Sequence, residues 1–162
     1  MRIFLIILVS MIPGLWNCSY ARCGAAADTT PAGAVIKIEM DLSAFGVESD
    51  YFPSARVLID FVNDSNLCVK SFYNPAIKGC TYRLSKVEMA EIACLLTLPL
   101  LENLKNRYEV NRTDQPTSIT KIYTAAKVYI IDDYGLDAPH PMDRLYEIVY
   151  KLQGHPPGKP CD

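Results

Sequence analysis

The chain has 162 residues, 16 Lys+Arg against 18 Asp+Glu, and a formal net charge of −2. That length suits one domain. The mild negative balance, without a basic stripe, argues against a nucleic-acid binder.

Residues 3–12 (IFLIILVSMI) form a short apolar run after Arg2, ended by Pro13-Gly14. A spanning helix needs about 20 apolar residues, so this run is too short to cross a membrane. A charged start, a short apolar stretch and small residues beyond it make a secretory signal. Residues 1–21 are read as that signal, cut after Ala21 in Ser19-Tyr20-Ala21, with Ala25-Ala26-Ala27 as a further candidate cut. The alternative is a lipoprotein signal over 1–17, with lipidation at Cys18. Leu15-Trp16-Asn17-Cys18 resembles a lipobox at Leu15 and Cys18 and departs from it at Trp16 and Asn17. Two acyl chains there would anchor the protein firmly. Membrane contact is expected only through that anchor. The expected location is the periplasm or cell envelope, with a secreted soluble protein as the alternative. Residues 22–33 read as a flexible tether, 34–153 as a single domain and 154–162 (GHPPGKPCD) as a disordered tail.

Residues 35–42 alternate, with Ile36, Ile38, Met40 and Leu42 to one side, which predicts a half-buried strand. Residues 56–63 and 67–73 predict a hairpin turning at Asn63-Asp64-Ser65-Asn66, with Val57, Ile59 and Phe61 inward. A short extended piece, 80–84, leads to Ser85-Lys86-Val87-Glu88, a capping box that starts a helix. Val87, Ala90, Cys94 and Leu98 lie near one stripe, widened by Met89, Ile92, Ala93 and Leu96 into a broad apolar face; Cys94 is expected to be buried. Pro99 interrupts the helix, and a short helical piece through Leu100, Leu101 and Leu104 closes at Tyr108. Residues 117–123 and 127–132 predict a second hairpin around Thr124-Ala125-Ala126. Residues 142–152 predict a last helix, with Leu145, Ile148, Val149 and Leu152 on one face. The expected fold is α+β: a mainly antiparallel sheet of about five strands with two helices packed on one face, in the order strand, hairpin, helix, hairpin, helix.

This order resembles a family of small exported bacterial domains, many of them lipoproteins, known only as a domain of unknown function and sometimes found beside membrane metallopeptidase sensors. The matching features are the hairpin of 56–73, Leu84-Ser85 where the first helix starts, Tyr108 with Thr113-Asp114-Gln115-Pro116, and the hairpin that follows. Of that family's Cys-x-Gly-x-Cys-Pro-like turn, residues 44–49 (AFGVES) keep only the glycine. The resemblance implies export and no particular activity.

The chemistry-bearing residues are few. Cys68 and Cys80 flank a turn and are the candidate disulfide. No CxxC pair or Cys/His spacing suggests zinc. Asp132, Asp133, Asp137 and Asp143 gather around Gly135, yet lack calcium-loop spacing; Asp143 suits the start of the last helix. His140 and His155 are the only histidines, and neither has a positioned thiol beside it in sequence. No catalytic, metal-binding or cofactor-binding residue is therefore assigned. Ten tyrosines are present, among them Tyr146 and Tyr150 at i, i+4. Phe45, Tyr51, Phe52 and Tyr129 are the candidate partner surface, because residues 43–54 are the longest irregular stretch and exposed aromatics anchor partners. The expected function is a non-enzymatic module binding a protein or envelope component. The alternative is a hydrolase or metal-dependent enzyme using the Asp132–Asp143 loop with His140.

Overall fold

In β1 (Val35–Ser43) every second side chain is buried: Ile38, Met40 and Leu42. A register shift against β6 between Val35 and Lys37 takes Ile36 out of that series, leaving it half-buried. The structure, a computed structural model, describes residues 33–44, 47 and 50–152. The signal, Cys18, most of the tether, Phe45 and the tail lie outside the described residues.

β2 (Ser54–Asp60) and β3 (Ser65–Ser71) form the first hairpin. The turn falls at 61–64, earlier than expected, because Asp60 organises it. Its Oδ1 accepts from the N–H groups of Val62 and Asn63, both at 3.0 Å. β4 (Cys80–Tyr82) then pairs with β3. α1 (Lys86–Leu95) starts at the expected capping box: the Ser85 N–H donates to Glu88 Oε2 at 2.7 Å, and the Glu88 N–H donates to Ser85 Oγ at 3.3 Å. α2 (Leu98–Glu102) restarts at Pro99 and buries Leu101. β5 (Arg107–Glu109) follows, then β6 (Thr117–Thr124), β7 (Val128–Tyr134) and α3 (Met142–Tyr150).

The five-strand, two-helix expectation is overturned. Among the described residues, seven strands form one sheet in the order β4-β3-β2-β1-β6-β7-β5. It is a mixed sheet, because β5 runs parallel to β7 while every other pairing is antiparallel. Among the described residues, three helices accompany it. Tyr108, expected to close a helix, is the centre of β5.

One face of the sheet is covered. Ile38, Met40, Val57, Ile59, Cys68, Ile122 and Ile131 share a single core with Met89, Ile92 and Leu96 of the α1 region, Leu101 of α2, and Met142, Leu145 and Val149 of α3. α1 lies beside α3, and ion pairs join them: Arg144 to Glu91 at 2.7 Å and Lys151 to Glu88 at 2.6 Å. The broad apolar face expected of α1 is accordingly narrow. Met89, Ile92 and Leu96 are buried, while Val87 is 76% exposed and Cys94 is exposed rather than buried.

Gly135 closes the turn after β7 with φ +102°, where a Cβ would stand 2.3 Å from Val110 Cγ2. Gly135→Ala should lower stability by about 1–3 kcal/mol, since strain and overlap add. Urea unfolding measures this; an unchanged midpoint would contradict it.

Candidate functional site

The second face of the sheet carries no helix among the described residues. Side-chain alternation sends one set of every strand there. Leu58, Leu67, Val69, Ile119, Val128 and Ile130 all point outward, each between 38% and 50% exposed. Scattered surface leucines need no explanation, but six aliphatic side chains on one flat face do.

The register orders this face into rows. The middle row runs Leu67, Leu58, Glu39, Lys121, Ile130. On one side lies Val69, Arg56, Asp41, Ile119, Asp132, and on the other Asp60, Lys37, Tyr123, Val128. Two aliphatic patches, on β2–β3 and on β6–β7, thus flank a polar stripe centred on β1.

The charges of that stripe neutralise one another. Lys37 Nζ pairs with Glu39 Oε1 at 2.5 Å, and Tyr123 OH donates to Glu39 Oε2 at 2.8 Å. Arg56 Nε meets Asp41 Oδ1 at 3.0 Å. The bond to Glu39 raises the Lys37 pKa, and the bonds from Lys37 and Tyr123 lower that of Glu39. Across the three rows Lys37, Arg56 and Lys121 stand against Glu39, Asp41, Asp60 and Asp132, a net charge of only −1, so the face offers little pull on a strongly charged ligand.

Of the aromatic surface expected from sequence, Phe45 lies outside the described residues, and the other three do not share one exposed face. Tyr51 is 64% exposed, but Phe52 and Tyr129 pack against the core. Tyr129 lies opposite Ile122 on the helix-covered face, with the Lys127 ammonium 4.3 Å from its ring centroid. Its row is that of Ile38 and Ile59, five residues along β2 from Ser54. At about 3.4 Å per residue that is roughly 17 Å from the segment holding Tyr51 and Phe52. Tyr146 and Tyr150 are buried, stacked with centroids 5.5 Å apart.

The Cys68–Cys80 bridge is also corrected. Cys68 is a buried free thiol; Cys80 is disulfide-bonded, but its partner is not among the described cysteines. Cys68 pairs with Tyr82 and Lys70 with Cys80, which sets the two cysteines diagonally. Such diagonals are about 7–8 Å apart, too far for a disulfide without backbone movement.

The Asp132–Asp143 loop diverges. Asp132 faces the open side, while Asp133 is fully buried on the other and accepts from the N–H groups of Asp137 and Ala138, both at 3.0 Å. Asp143 lies 3.5 Å from His140 Nδ1 at the start of α3, exposed. Among the described residues, no group of three His, Cys, Asp or Glu side chains could hold a metal ion. A shallow depression between residues 109–114 and Tyr134 mixes Arg112 with Glu109 and Asp114 and gathers no single chemistry.

Comparison with models of protein families, with curated proteins and with solved structures finds no match for this chain.

Proposed function

We propose that the protein is a non-enzymatic, exported binding module that engages a protein partner through the open face of its sheet. The observation that carries this reading is the register itself: it gathers six aliphatic side chains on the face opposite the helices. Contiguous exposed apolar surface rimmed by polar groups is what interaction sites present. The apolar run at 3–12 and the small residues after it support export.

A photo-crosslinking residue placed at Leu58 or at Ile130 tests the reading in the native host. Both sites should yield protein adducts. The same residue at Val87, exposed on α1 away from the open face, should yield none. Absence of any protein adduct from both sheet positions would reject the reading.

A further inference from the structure

We infer that the occupant of the open face is a second copy of this chain, packed face to face about a two-fold axis running across the strands along the Leu67–Leu58–Glu39–Lys121–Ile130 row. The inference rests on the proposed use of this face and adds the identity of the partner.

The argument is one of charge order. Sheets stack about 10 Å apart with strands near alignment. In a two-fold dimer the same patch serves both copies. An axis across the strands reverses each strand over its own copy. A residue two places before the axis then meets the residue two places after it. On β1 those residues are Lys37 and Asp41, of opposite sign, centred on Glu39. On β2 they are Arg56 and Asp60, again of opposite sign, centred on Leu58, which pairs with Glu39. On β6 they are Ile119 and Tyr123, which suit each other, centred on Lys121. Two neighbouring strands thus carry charges that are antisymmetric about one common row, and the dimer turns both into attractive contacts.

Along the axis each residue meets its own copy. Leu67, Leu58 and Ile130 gain apolar contact there. Glu39 meets Glu39 and Lys121 meets Lys121, but the two are neighbours in the row, so each self-pair has the opposite charge beside it, and the Glu39 carboxylate is already held by Lys37 and Tyr123. The other in-plane axis, along β1, would set Lys37, Glu39 and Asp41 each over its own copy, three like-charged pairs, and Arg56 over Ile119, whereas the first sets a single charge of each copy, Asp132, over an aliphatic side chain, Val128. The charge order therefore selects the first axis.

An axial residue gives a specific test. Leu58→Lys and Leu58→Glu each place like charges face to face at the axis, and Leu58 is exposed enough to take either without disturbing the side chains beneath the sheet. Light scattering of the full chain should give the wild type twice the single-chain mass. Each variant alone should give the single-chain mass, and their equal mixture twice that mass again, which also shows that both variants are folded. A single-chain mass for the wild type, a dimeric variant, or a mixture that stays dissociated would overturn the inference. Adducts from Leu58 and Ile130 to a different protein, with a monomeric wild type, would overturn the second copy while leaving the binding face intact; no adduct at all would remove both.

Discussion

Lys70→Met should abolish a rise in stability that the wild type draws from alkaline pH. Lys70 lies on the helix-covered face of β3, 2% exposed. Its Nζ donates to the Lys151 carbonyl oxygen at 3.0 Å, just past α3, and stands 5.4 Å from the Tyr82 ring centroid. Lys151 approaches the same ring and pairs with Glu88. Burial, reinforced by the Lys151 ammonium, pushes the Lys70 pKa down from 10.5 to about 8. Between those values the folded chain holds fewer protons at this site than the unfolded chain, so stability rises with pH there. At 1.36 kcal/mol per pH unit, the gain is about 3 kcal/mol. Cys68 opposes it, because burial lifts its thiol to about 11 and an unfolded thiol ionises sooner. The comparison with Lys70→Met removes that contribution apart from the mutual attraction of the Lys70 ammonium and the Cys68 thiolate. Denaturant unfolding from pH 7 to pH 10 should show the wild type gaining on the variant above pH 8. A difference independent of pH would mean that the buried ammonium keeps its proton. At neutral pH the variant should be no less stable, since a hydrophobe of similar length replaces a costly buried charge.

This lysine also shows where the sequence stops being readable. The outline was legible: β1 by its alternation, both hairpins by their turns, α1 by its capping box, the break at Pro99, and α3 by its apolar spacing. β4 and β5 were not, because a three-residue strand has no period and its pairing is decided by tertiary contacts. The buried face of α1 is set by tertiary contacts in the same way. Packing beside α3 rotates Met89, Ile92 and Leu96 toward the core and leaves Val87 outside. β6 hid its phase: Ser118 and Thr120 point inward, where Ser118 Oγ lies 2.6 Å from Tyr150 OH and 3.3 Å from Thr120 Oγ1, while Ile119 points out.

The open face did leave a signal. Val57-Leu58-Ile59 and Val128-Tyr129-Ile130-Ile131 are unbroken apolar runs, and such runs imply strands apolar on both faces. The inward set alone does not reveal it. The charge order across β1 and β2 is a different matter, since it exists only once the pairing of Glu39 with Leu58 is known.

Asp133→Ala should cost about 2–4 kcal/mol, because two buried N–H groups lose their acceptor at once. Asp133 is fully buried at the end of β7, and its two carboxylate oxygens take the N–H groups of Asp137 and Ala138, one each. Between them the chain passes through Gly135 and Leu136, both at positive φ, before reaching α3. The carboxylate thus braces an otherwise unfavourable turn and sets where α3 begins. Asp133→Asn keeps the volume but offers one acceptor oxygen and turns an amide donor toward the other N–H, so it should recover only part of the loss. Asp132→Ala, next door on the open face, should change stability by less than about 0.5 kcal/mol. Hydrogen exchange at the Asp137 and Ala138 amides locates the effect, which should be strong protection in the wild type and little in Asp133→Ala. The same measurement with a chelator separates this brace from a metal site in the Asp132–Asp143 loop. Protection unaffected by the chelator, yet lost on removing the carboxylate, assigns Asp133 to the fold; protection lost to the chelator in the wild type would return the loop to metal chemistry.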